Sequence, residues 1–156
     1  MRVIGIDPGL ERVGYAILDR VGSRLEVVAY GLISTPRIAT PDRLVLLYEA
    51  IAALISQHEP ASAATERLLF AANKTTAIDV AKAVGAIQVA IACRGISIAE
   101  YTPPEVKLAV VGNGRAEKAQ VQFMVTKLLG LREAPKPDDV SDALAIAITH
   151  ALRQAR

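Results

Sequence analysis

The sequence has no tryptophan, and aromatic residues make up only 4% of its 156 positions. The core must therefore be aliphatic, built from Ala, Val, Ile and Leu. Hydrophobic residues reach 52%, which excludes a disordered chain. The lone cysteine, Cys93, excludes an internal disulfide and a cysteine-based zinc site; in its Ala/Ile run it is expected to be inert filling. No uncharged run approaches the roughly 18 residues that a membrane helix needs, and no secretory leader precedes the first strand-like segment, so no membrane role and a cytoplasmic location are expected. Neither charge dominates: 18 basic and 16 acidic residues leave a net +2, too mild to announce a nucleic-acid partner. If four carboxylates are gathered into one site, however, the rest of the surface is modestly basic. The length suits one domain over residues 1–156 with a single sizeable core, and there is no internal repeat or low-complexity segment.

The pattern along the chain is that of an α/β protein. Val3 to Asp7, Val13 to Leu18 and Leu25 to Ile33 read as strands joined by short turns, which implies an antiparallel meander. Thr40-Pro41-Asp42 reads as a helix start, with Thr40 as N-cap, and apolar residues recur at helical spacing from Leu44 to Ile55. Ala61 to Glu66 is expected to return as a strand, and a strand returning after a helix implies a parallel crossover. Asn73 to Cys93 reads as a helix apolar nearly all round, with Asn73 as its cap. Such a helix is buried in the core or shared with a second copy of the chain. A fifth strand over Ile96 to Tyr101, a short helix from Thr102-Pro103-Pro104 to about Val110, a helix over Ala116 to Leu129 ended by Gly130, and a last helix from Asp138 or Asp139 complete a mixed five-stranded sheet flanked by helices.

The chemistry lies where these elements end. Val3-Ile4-Gly5-Ile6-Asp7-Pro8-Gly9 is an apolar strand closed by a carboxylate and a turn, and Glu66 closes the fourth strand in the same way. Taken alone, Asp7 reads equally well as a simple turn residue. Asp139 and Asp142 stand three apart in the first turn of the last helix, so their Cβ atoms lie roughly 5 to 6 Å apart on one face. Helix capping explains one such aspartate. It does not explain Asp142, which leads straight into the apolar face and needs a partner there. Brought together, Asp7, Glu66, Asp139 and Asp142 would repel one another unless a cation offsets them. Mg²⁺, or Mn²⁺ in its place, suits such oxygen ligands, and a pair of ions about 4 Å apart implies metal-assisted phosphodiester hydrolysis.

Gly5-Ile6-Asp7-Pro8-Gly9 with Gly14-Tyr15, Thr65-Glu66, Val106-Lys107, Val110-Val111-Gly112, Ala116-Glu117-Lys118 and the run from Asp142 to His150 together resemble a bacterial RuvC-type Holliday junction resolvase, in order and over essentially the whole chain. The first motif alone is weak; the set is specific. The resemblance implies a ribonuclease H-like fold, a homodimer, and paired nicking of a four-way DNA junction in recombination and repair, within a branch-migration complex. It implies that Asp7, Glu66, Asp139 and Asp142 hold two Mg²⁺ ions, with Lys107 and Lys118 beside the cleaved backbone. Without it, both lysines read as ordinary solvated residues. Further DNA contacts are expected from Asn73, Lys74 and Arg115.

The pattern departs from the family at two places. The family's base-stacking aromatic after the glutamate has only Phe70 to match it, in the run Arg67-Leu68-Leu69-Phe70, and a loop Phe also serves to close a core. At the third acidic position Asp138 stands beside Asp139, and only Asp139 makes the three-residue spacing with Asp142. Rival readings are an actin-like ATPase, which needs two such domains, a ribonuclease H-like nuclease acting on another nucleic acid, and a junction-binding module that does not cut.

Overall fold

The computed structural model describes residues 1–67 and 74–154 and, within the second helix, the side chains from Ala77 onward. Strands β1 (Arg2–Asp7), β2 (Arg12–Val21) and β3 (Arg24–Ser34) form the expected antiparallel meander, with Ile4 opposite Ile17 and Asp7 opposite Gly14. After helix α1 (Thr40–His58), strand β4 (Ser62–Glu66) lies parallel to β1 with Thr65 opposite Ile6. Helix α2 (Lys74–Ala92) then leads to β5 (Ser97–Tyr101), parallel to β4. Helices α3 (Pro103–Val111), α4 (Lys118–Leu128) and α5 (Asp138–Arg153) close the chain. The sheet order is β3-β2-β1-β4-β5.

Strand alternation divides the core into two aliphatic layers. Ile4 and Ile6 of β1 pack with Leu47, Ile51 and Ile55 of α1 and with Ala83, Ile87 and Ile91 of α2. Val3, Ala16, Leu18 and Ala64 pack on the other face, against Leu144, Ala147 and Ile148 of α5 and the inner sides of α3 and α4. By the same alternation Asp7, Glu66, Arg12 and Gly14 belong to the α5 face.

Helix α5 is the centre of that layer. From Val140 to Ala151 every residue except Asp142 is buried. It lies so close to the sheet that a Cβ on Gly5 would collide with the main chain of Ala143 and Ala147, and one on Gly14 with the carbonyl of Asp139. Its far end is anchored by a buried polar chain. The Tyr101 hydroxyl lies 2.9 Å from His150 Nδ1, and His150 Nε2 lies 2.9 Å from Ser62 Oγ. Burial pushes His150 below its ordinary pKa, so the neutral ring donates through one nitrogen and accepts through the other.

Several local expectations are corrected. Thr40 is not the N-cap of α1; Ala39 holds that place without a side-chain hydrogen bond, and Thr40 is already helical ahead of Pro41. Cys93 is exposed rather than core filling, because α2 ends at Ala92 and the chain turns there toward Gly95 at φ 71°. Helix α2 is not buried all round: Ala83, Val84, Ile87, Ala90 and Ile91 face the core, whereas Ile78 is 57% and Val89 54% exposed. The cap expected at Asn73 lies outside the described residues.

Replacing Gly5 by Ala should cost about 1–3 kcal/mol in urea unfolding, because the new methyl meets main-chain atoms that cannot yield. Gly22→Asn, in the open β2–β3 turn at φ 63°, should change stability by less than about 1 kcal/mol.

Candidate active site

The parallel pairing of β1 with β4 sets Asp7 beside Glu66 at the carboxyl ends of adjacent strands, and the approach permitted by Gly14 lays the first turn of α5 across those ends. Four carboxylates from three segments therefore face one another. Asp7 is pushed up to about 8, first by burial and then by the negative charges of Asp142, Glu66 and Asp139. Glu66 is raised by burial and by Asp142. Asp142 is raised by burial, against the opposing pull of Lys118.

The structure separates the two neighbouring aspartates. The Asp139 side chain is 21% exposed, whereas that of Asp138 is 62% exposed. Asp138 accepts from Gln122 Nε2 at 3.1 Å and pairs with Lys118, and these contacts hold its carboxyl below the usual range. Lys118 Nζ bridges outward, 3.0 Å from Asp142 and 3.1 Å from Asp138. Burial works against its charge, but the hydrogen bonds to the two aspartates outweigh it and raise its pKa. Asp142 thus has the partner that its place on an apolar helix face demands.

One residue of the cluster escaped the sequence reading. Arg12, the first residue of β2, sets Nη2 3.3 Å from Asp139 Oδ2. The clue lay in the strand period: Arg12 is two residues before Gly14, which pairs with Asp7, so both face α5. Lys107 is half-buried on α3 and makes no ion pair with a described carboxylate. Arg115 is exposed in the loop before α4, its backbone N–H donating to Asn113 Oδ1 at 3.0 Å. Phe70 and Asn73 lie outside the described residues, as does the side chain of Lys74.

The all-carboxylate donor set fits a hard divalent cation. Two further observations agree: Asp139 Oδ2 is buried without a hydrogen bond, and among the described residues no cationic side chain is bonded to Asp7. As the side chains stand, no three acidic, His or Cys groups among the described residues form a ready coordination shell. Asp142 and Asp139 are turned instead toward Lys118 and Arg12.

A mixed five-stranded sheet in the order β3-β2-β1-β4-β5 with helices on both faces is a ribonuclease H-like fold, and here it gathers carboxylates at the ends of β1 and β4 under the first turn of a helix. A family model described as "Crossover junction endodeoxyribonuclease RuvC" matches residues 3–150. The chain is 49% identical over 152 residues to the protein of that name from Desulfitobacterium hafniense (strain DSM 10664 / DCB-2), covering 97% of this chain and 92% of the relative. It superposes on the structure described as "T. thermophilus RuvC in complex with Holliday junction substrate" with a TM-score of 0.94 at 33% identity, over 99% of this chain and 94% of that one. A yeast mitochondrial Holliday junction resolvase shares the fold at 14% identity and a TM-score of 0.75, over 98% of this chain and 80% of that one. This chain belongs to the RuvC family of crossover junction endodeoxyribonucleases.

Asp7 provides a pH test. Its folded pKa, about 8, exceeds the ordinary aspartate value of 3.8, so the folded state binds the extra proton and loses stability as pH rises through that window. Without divalent ions, Asp7→Asn should stabilise the fold by about 1–3 kcal/mol at pH 8.5, with the gain vanishing toward pH 4. Thermal melts in chelator across this range measure it.

Proposed function

We propose that this chain is a structure-selective DNA endonuclease that resolves Holliday junctions by symmetric paired nicking, in homologous recombination and DNA repair. The observation that carries the reading is the convergence of Asp7, Glu66, Asp139 and Asp142 at the mouth of the sheet, where burial and mutual repulsion leave a demand for positive charge. Membership in the RuvC family supports the substrate class. So does the likeness to a solved RuvC whose own description names a Holliday junction substrate.

In this reading the four carboxylates hold two Mg²⁺ ions, for which Mn²⁺ substitutes. Bound there, divalent cations supply an activated water and offset charge on the departing 3′ oxygen. The protein's part is positional. Strand ends fix Asp7 and Glu66, and one helical turn fixes Asp139 and Asp142, so the ligands come from rigid elements. Lys118, half-exposed beside Asp142, is set to take a phosphate oxygen or steady the departing one. Lys107, Arg115 and Lys74 add salt-sensitive contacts to the backbone. Asn73 and Phe70 join them from the segment after Glu66, with Phe70 stacking on a junction base.

The active form is a homodimer, whose two sites related by a two-fold axis select a branched substrate over a duplex. The outward side of α2 supports this. Ile78 and Val89 are exposed large apolar residues, Gly85 leaves open space, and Gly85, Val89 and Ala92 line a recess against Ile98 on the edge strand β5. A branch-migration complex is the proposed larger partner. No helix among the described residues is long and apolar enough to cross a membrane, and the proposed location is the cytoplasm.

Asp7→Asn should abolish nicking of a synthetic four-way junction while leaving junction binding within about threefold; a variant that still nicks sinks the carboxylate assignment. Cleavage of the junction should exceed that of an RNA/DNA hybrid in both Mg²⁺ and Mn²⁺. The reverse preference would favour a ribonuclease, and metal-independent binding without nicking would favour a binding module. Sedimentation should find a dimer at micromolar concentration, and Val89→Glu should drive it to monomer, since it replaces an exposed apolar side chain by a second carboxylate in a recess that Glu100 already lines. A wild-type monomer would overturn the dimer.

A further inference from the structure

We propose that Arg12 is a charge clamp on the active site: it holds Asp139 while no divalent cation is bound and, when that carboxylate turns to a cation, offers its guanidinium to a phosphate of the DNA strand. This rests on the nuclease reading above and adds to it a residue that none of the carboxylate or lysine assignments includes.

Placement is the first support. Arg12 opens β2 on the α5 face, one pleat from Gly14, whose missing side chain lets the main chain of Asp139 settle against the sheet. Its guanidinium therefore stands at the rim of the carboxylate cluster, 3.3 Å from Asp139 Oδ2. Incomplete pairing is the second support. That oxygen is buried yet accepts no hydrogen bond, so the contact is an ion pair without the bidentate geometry of a structural arginine–carboxylate fork. A pair so loosely made is readily exchanged.

The third support is the division of cations over the cluster. Lys118 occupies Asp142 and Asp138, and Arg12 occupies Asp139. Among the described residues neither the deeper Asp7 nor Glu66 has a bonded cation. The two side-chain cations thus stand at the rim on the helix carboxylates; as Asp139 turns to a cation Arg12 is released at the entrance, whereas Lys118 still has Asp138 to hold it there. The Arg12 side chain is 55% exposed, so once released it points its donors at solvent where a strand would run, and guanidinium suits phosphate. An ordinary exposed ion pair, by contrast, contributes little and has no consequence for ligand binding.

The test uses the full chain and Mn²⁺ alone as first probe, titrated by calorimetry. Arg12→Gln removes a positive charge next to a metal ligand and should tighten Mn²⁺ binding about three- to tenfold. Arg12→Lys, which keeps the charge, should stay within about twofold of the wild type. At saturating Mn²⁺, Arg12→Gln should nonetheless nick a four-way junction about tenfold more slowly, with the salt slope of junction binding lowered by about one. Opposite changes in metal affinity and in nicking are what a merely structural arginine would not produce. Arg24→Gln, exposed at the β2–β3 turn and so at the opposite end of the strands from Asp7, should change neither. Unchanged or weakened Mn²⁺ affinity in Arg12→Gln, or wild-type nicking at saturating metal, overturns the clamp while leaving the nuclease reading intact. A wild-type chain that neither binds Mn²⁺ nor nicks the junction overturns both. Because Arg12 is largely exposed at a strand end, both variants should melt within a few degrees of the wild type, and Arg12→Lys keeps the comparison usable if Arg12→Gln does not fold.

Discussion

Four carboxylates buried at one end of a sheet repel one another, and much of this structure follows from holding them there. Packing energy from two aliphatic layers forces β1, β4 and α5 into contact at the point where their acidic residues meet. The cost appears in the carboxyl groups themselves: Asp7, Glu66 and Asp142 all favour the protonated form more than a free side chain does. Lys118 and Arg12 relieve the repulsion only at the rim. The arrangement is unfavourable for stability, and the proposed divalent cations would offset that cost.

The supporting elements are rigid where the geometry demands it. Glycine at positions 5 and 14 removes the two side chains that would hold α5 away from the sheet. The polar chain of Ser62, His150 and Tyr101 fixes the opposite end of the same helix to β4 and β5. Arg153 extends the anchorage, stacking 4.9 Å over the Tyr101 ring and pairing with Glu105 at 3.0 Å. Glu105 also accepts from the backbone N–H of Thr102 at the start of α3, the helix that carries Lys107. The orientation of the first turn of α5 is thereby set from both ends.

Much of this was legible in the chain. Strand-ending Asp7 and Glu66 and the i, i+3 pair on α5 are local patterns, and the parallel crossover that joins them follows from element order alone. Helical spacing separates Asp138 from Asp139, and the two side chains also differ in exposure. Arg12 was missed because its meaning depends on a contact 127 residues away, between the start of β2 and the start of α5. Cys93 was misread because an Ala/Ile-rich run does not reveal where a helix stops. Thr40 was misread because a good capping residue need not occupy the cap when Ala39 already has extended geometry. The two-sided character of α2 was left open by composition, since small apolar residues serve both a core and a surface.

The almost complete burial of α5 bears on how safely such an enzyme can exist in a cell. The helix that supplies two of the acidic groups is also the one the inner layer cannot do without, so fraying that exposes it dismantles core and candidate active site in the same event. A partly unfolded chain would thus be an inert chain. Damage, heat or incomplete synthesis would silence this protein before it could nick DNA indiscriminately, a protection built from packing alone and requiring no inhibitor.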